Sequence, residues 1–98
     1  MVITSLEAQV ASDKWEVLQR AYGSGTDALP PAIVETFLAQ SATDPTVWRI
    51  MTVWRSRDAL DEYRQSVETP EGVLMFRAAG AEPTLSIFDV HVHAQSHT

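Results

Sequence analysis

Apolar and polar side chains alternate along Val2 to Val10, with Leu6, Ala8 and Val10 on one side and Ser5, Glu7 and Gln9 on the other. A period of two marks a strand with one buried face. Further on the period lengthens, and Trp15, Leu18 and Tyr22 fall on one face of a helix. Ser12 or Asp13 is placed to cap it, Asp13 and Glu16 having capping-box spacing. Gly23 and Gly25 are expected to end it in the left-handed conformation. Beyond the break at Leu29-Pro30-Pro31, Ile33 to Ala39 and Val47 to Arg55 read as two strands. The short turn Thr43-Asp44-Pro45-Thr46 between them makes an antiparallel hairpin. Ser56 is placed to cap a helix from Arg57 to about Val67, with Leu60, Tyr63 and Val67 along one side. Thr69-Pro70 restarts a helix, threonine as cap and proline at the first helical position. There Val73 and Phe76 face the core, Gly80 closes the helix, and Leu85 to Val92 supplies the last strand.

The order is β-α-β-β-α-β, the split βαβ or ferredoxin-like arrangement of the α+β class. It predicts a four-stranded antiparallel sheet with helices on one face, and a single domain over residues 1–98. In the hairpin, Val34, Thr36 and Leu38 share a face with Trp48, Ile50, Thr52 and Trp54. Ile33, Glu35 and Phe37 share the other with Arg49, Met51, Val53 and Arg55. Both faces carry large apolar groups and the helices cover only one. A homodimer is therefore expected through the face with Ile33, Phe37, Met51 and Val53. Glu7 and Glu35 are expected to pair there with Arg49 and Arg55.

Charge and composition narrow the partners. Thirteen acidic against seven basic side chains give a formal charge of −6, which opposes binding to nucleic acid or to anionic membrane. The chain has no cysteine, so disulfides and thiolate zinc sites are excluded. No run reaches the roughly 18 apolar residues of a membrane helix, and Met1-Val2-Ile3-Thr4-Ser5-Leu6-Glu7 lacks the basic start of a secretory signal. The expectation is a soluble, cytoplasmic protein.

The stretch from Thr52 to Ser66 resembles the antibiotic biosynthesis monooxygenase family. In that family a strand ends in Trp, a Ser-capped turn follows, and the next helix carries an aromatic or His about two turns in. Trp54, Ser56, Ala59, Leu60, Tyr63 and Ser66 match the pattern. The resemblance implies a dimeric α+β barrel, two sheets packed face to face, with a pocket between each sheet and its own helices. Some members oxidise polycyclic phenols with molecular oxygen and no cofactor; others open haem. The haem-opening members carry an iron-ligating His on the following helix, where Val73-Leu74-Met75-Phe76-Arg77 has none. Their first-strand Asn is also missing, Thr4 and Ser5 standing in that region. No haem or other cofactor is expected. The function implied is cofactor-independent oxygenation of a small aromatic or quinol-like molecule, and a non-catalytic binding or interaction module of the same fold is the alternative.

Trp54, Tyr63 and Arg77 are the candidates for chemistry, with Trp48, Ile50, Thr52 and Phe76 as the candidate substrate wall. Each has a second reading. Trp54 is either a core anchor or a pocket wall whose indole N–H orients a substrate oxygen. Tyr63 either closes its helix against the sheet or donates its phenol to a bound oxygen. Arg77 either reaches solvent or points inward to stabilise a developing anion. No general base stands out in the expected pocket. His91 and His93 alternate on the expected last strand, but a metal site needs a third ligand and His97 lies near the end of the chain, so no metal is expected.

Overall fold

A computed structural model describes residues 1–97. The chain runs through β1 (Val2–Gln9), a 3-10 turn (Ser12–Lys14), α1 (Trp15–Gly25), β2 (Ile33–Gln40), β3 (Val47–Trp54), α2 (Arg57–Ser66), α3 (Glu71–Ala78) and β4 (Thr84–Asp89). The strands form one antiparallel sheet in the order β2-β3-β1-β4. This is the expected ferredoxin-like α+β fold, with the second helical segment divided in two. The division falls where Val67 turns to extended backbone and Pro70, which has no N–H to give, stands before α3.

The helices cover one face of the sheet. Leu18, Leu60, Met75 and Phe76 are buried from the helix side, and Val2, Ala8, Trp48, Ile50 and Trp54 from the sheet side. They form two apolar clusters rather than one. The larger gathers Ala8, Val10, Leu18, Trp48, Ile50, Met75 and Phe76. The smaller holds Val2, Trp54 and Leu60, with Ile33 and Tyr63 packed against it.

Several local signals resolve differently from expectation. Neither Ser12 nor Asp13 caps α1; a 3-10 turn leads into it, and no side chain bonds to its first amides. Trp15 instead ties the turn down by donating its indole N–H to Val10 O at 2.8 Å. α1 does stop at Gly25, but neither Gly23 nor Gly25 is left-handed; among the described residues positive φ belongs to Gly80, at +73°. Gly25 serves close approach: a Cβ there would lie 2.3 Å from Met75 Cε, so α1 and α3 meet over it. α3 starts one residue late, at Glu71, with Pro70 as N-cap and no bond from a Thr69 side chain.

The hairpin pairs Thr36 with Thr52, Phe37 with Met51 and Leu38 with Ile50, as its alternation predicts. Nearer the start of β2 the register shifts: Ile33 pairs with Trp54 and Glu35 with Val53, leaving Val34 as the extra residue of a β-bulge. The bulge moves Ile33 from the uncovered face to the helix side and leaves Val34 exposed. Ile33 is therefore removed from the expected dimer surface. Val53 on that surface is already buried by its neighbours. The uncovered face instead presents Phe37, 50% exposed, and Phe88, 55% exposed. Met51 is half-buried beside them. Phe88 joins this face because β4 pairs it with Ile3 of β1. Glu7 and Arg49 are cross-strand partners and form the expected ion pair. Arg55 bonds to Pro31 O rather than to Glu35.

β4 ends at Asp89, so His91 and His93 lie beyond the strand, exposed, and do not share a sheet face. Among the described residues no three His, Cys, Asp or Glu side chains gather to hold a metal, and no helix is long and apolar enough to cross a membrane.

The expected cap of α2 is present: Ser56 is extended, and its Oγ accepts from Ala59 N at 3.0 Å. Removing it leaves one of the helix's orphan amides without a protein partner. Ser56→Ala should cost about 1 kcal/mol, a fall in Tm of about 4–8 °C for a domain of this size. Ser56→Asp should hold the wild-type value, with thermal unfolding as the measurement.

Candidate functional site

Between the two apolar clusters lies a cavity of about 260 Å³. Ile50 and Met75 wall it from the larger cluster, and Trp54 and Leu60 from the smaller. Leu6, Leu29, Ile33, Val73 and Leu85 add further apolar wall. The volume lies a little below the range of about 300–1,000 Å³ that drug-sized ligands occupy. It suits a small, largely apolar molecule.

The sheet floor of the cavity is polar in one row. Thr4 of β1, Thr52 of β3 and Thr36 of β2 are successive cross-strand partners, and all three line the space. Thr4 and Thr52 are more than nine-tenths buried. Trp54 donates its indole N–H to Thr4 Oγ1 at 2.9 Å. Thr36 donates to Met51 O at 3.1 Å and lies 3.1 Å from Thr52 Oγ1. The roof carries Tyr63, whose ring meets Trp54 at a centroid distance of 5.1 Å, tilted by 47°. Its hydroxyl accepts from Glu71 N at 3.0 Å. The tyrosine thus performs the capping expected of Thr69.

The structure brings together Trp54, Tyr63, Ile50 and Thr52 of the expected site and separates the others from it. Arg77 points away from the cavity and pairs with Glu82, its Nε donating to Glu82 Oε1 at 3.0 Å. The helix turns it outward because Phe76, its neighbour, takes the inward position. Phe76 itself is wholly buried in the larger cluster, outside the cavity lining. Trp48 is also core, its ring 6.0 Å from that of Trp15. Its indole N–H is buried without a hydrogen-bond partner among the described residues. For Trp54 the anchor and wall readings coincide: it does both, but its N–H is committed to Thr4 rather than directed at a ligand.

Several polar lining groups lie outside the expected site, among them Thr4, Thr36, Glu71 and Arg64. Thr4 and Thr36 carry no signal beyond strand alternation. Glu71 supplies the one carboxylate of the lining, where no base was expected, and Arg64 the one cation. Glu71 reaches toward the end of α1, since a Cβ on Gly25 would lie 3.0 Å from Glu71 Oε1. Only the closure of α3 over β1 puts it there.

Because Tyr63 Oη satisfies the first amide of α3, Tyr63→Phe should free that amide. The expected cost is about 1 kcal/mol, with hydrogen exchange at Glu71 N accelerated more than at the sheet amides. Unchanged protection of Glu71 N would show that the hydroxyl does not cap α3.

Comparison with known proteins agrees with this geometry. The family profile described as antibiotic biosynthesis monooxygenase matches residues 1–77. A search of curated proteins by sequence finds no match. Among solved structures, a proposed antibiotic biosynthesis monooxygenase from Nitrosomonas europaea is similar at 19% identity and TM-score 0.70, covering 92% of this chain and 98% of that one. One from Caulobacter crescentus is 18% identical with TM-score 0.69, covering 93% and 91%. One from Deinococcus radiodurans is 8% identical with TM-score 0.69, and the match spans all of both chains. Such low identities speak for the fold alone. With the profile spanning most of the chain and the cavity seated between sheet and helices, this protein belongs to the antibiotic biosynthesis monooxygenase family.

Proposed function

We infer that the chain is a cofactor-independent monooxygenase of a small aromatic or quinol-like substrate held between its sheet and helices. The observation that carries the reading is the apolar cavity with a single carboxylate in its wall. Aromatic and aliphatic walls take a planar ring system, and Glu71 takes the proton that must leave before such a ring can react with oxygen.

The chemistry balances with molecular oxygen as the only co-substrate. A ring ketone with an adjacent methylene enolises, and the enol gives its proton to Glu71. The enolate passes an electron to oxygen, and the two radicals combine at carbon to a peroxide, which takes the proton back. Loss of water leaves a carbonyl: one oxygen atom stays on the ring, and the other departs with the two methylene hydrogens. Hydroxyl donors in the cavity would stabilise the enolate as its charge develops.

Oxygen uptake with a panel of hydroxyarenes, ring ketones and quinols, without added flavin or metal, is the test. Uptake with at least one compound is expected. Trp54→Ala should lower kcat/KM about tenfold or more through lost wall and a loosened Thr4. Glu71→Gln should lower kcat by roughly a hundredfold or more. Binding without uptake across the panel would favour the ligand-binding module instead.

The same reading includes a homodimer through the uncovered sheet face. Phe37, Phe88 and Met51 would each contribute about 1.5–3 kcal/mol on full burial, and one two-fold axis lets the patch cover itself. Met51→Lys puts two charges into one dry interface, so sedimentation should show dissociation and the melting temperature should fall. Wild type sedimenting as a monomer at tens of micromolar would refute the dimer.

A further inference from the structure

Two large apolar side chains that line the cavity are also open to solvent, Leu29 at 42% and Leu85 at 41% exposed. Both stand where the cavity meets the outside. Leu85 belongs to β4 and is fixed opposite Leu6 in the sheet. Leu29 belongs to the segment between α1 and β2, residues 26–32, which is held at its ends and free in its middle. At the α1 end Thr26 donates twice to Tyr22 O, from its N–H at 3.0 Å and from its hydroxyl at 2.7 Å. At the β2 end Ile33 N donates to Pro30 O at 3.0 Å, closing a turn that two prolines stiffen. Arg55 fastens that end twice more, its N–H donating to Ala32 O at 3.0 Å and its Nε–H to Pro31 O at 2.6 Å. Between these anchors Ala28 and Leu29 make no hydrogen bond among the described residues, and Asp27 N reaches Ser24 O only at 3.5 Å.

We propose that residues 27–29 are the gate of the cavity, with Leu29 as the side chain that closes it and Arg55 as the clamp that keeps the moving part short. This rests on the cavity being the substrate site of the reading above and adds how a molecule enters and leaves it. Segments with unbonded backbone and few buried contacts are the ones that open locally. Swinging residues 27–29 aside gives up one long hydrogen bond and the contacts of a half-exposed leucine. Entry past the helices costs more: parting α2 from α3 breaks the bond from Glu71 N to Tyr63 Oη, and lifting either helix bares Leu60 or Met75, both buried. A gate lies on the path of a ligand rather than at its end, so it sets entry and exit rates together. A plain wall residue acts mainly on exit.

2-Naphthol, a two-ring hydroxyarene whose own fluorescence reports an apolar surrounding, is the probe. It is mixed with the protein by stopped flow without oxygen, so that no turnover enters the rates. Leu29→Gly should raise the association and dissociation rate constants together, each about fivefold or more, with Kd moving less than either. Leu29→Trp should slow both. Arg55→Gln loosens the β2 end with the Leu29 side chain intact, and should quicken both as well. Faster dissociation of Leu29→Gly with unchanged association means that only a piece of wall was lost, which overturns the gate. Wild-type rates in Arg55→Gln overturn the clamp and with it the hinge. A wild type that binds no 2-naphthol removes the cavity as a site for such molecules, and the gate falls with it. Gated binding without oxygen uptake for any panel compound refutes the oxygenase and leaves the gate standing.

Discussion

Three threonines in a row across the middle of the sheet decide how everything above them packs. Thr4, Thr52 and Thr36 stand on the face the helices cover, where leucine or valine would let one continuous core form. A hydroxyl buried under aliphatic side chains must find a partner, and these hydroxyls find theirs sideways, in Trp54, in Met51 O and in one another. The apolar residues then gather on either side of the row, giving one cluster around Phe76 and another around Leu60. The space over the row stays open. In this fold the cavity follows from a polar line in the sheet rather than from a gap between domains.

The walls of that space also carry structural duty. Tyr63 holds the first amide of α3, Trp54 holds Thr4, and Gly25 lets α1 and α3 close together. Wall residues shared with the scaffold are held in place by it, which would lower the entropy lost on binding any molecule there. The same sharing constrains change, because altering the cavity wall disturbs a helix cap or a sheet pair as well.

Element order and most of the hairpin register were legible in the sequence, because alternation and helical spacing are local signals. Ser56, Trp54 and Tyr63 stood out for the same reason, lying within about ten residues of one another. What was not legible depends on distant pieces meeting. Glu71 looks like any first-turn acid until α3 lies over the sheet, and Phe88 reaches the uncovered face only through pairing with Ile3. Thr69-Pro70 resembles a helix start, yet a hydroxyl from the preceding helix took the cap. Arg77 shows the converse: its spacing allowed an inward position, and the large neighbour Phe76 took it.

The bulge at Val34 has a consequence for how this scaffold can drift. β2 is an edge strand, and whether Val34 is bulged out of its pairing decides whether Ile33 walls the cavity or joins the outer face. Flattening the bulge, so that Val34 stands opposite Trp54, would put Val34 into the chamber wall and carry Ile33 to the outer face, whereas deleting Val34 would keep Ile33 opposite Trp54 and fix it in the wall. The make-up of the pocket wall and the stickiness of the opposite surface are therefore coupled through one bulge, and a slip of this edge strand exchanges one for the other while the strands behind it keep their register.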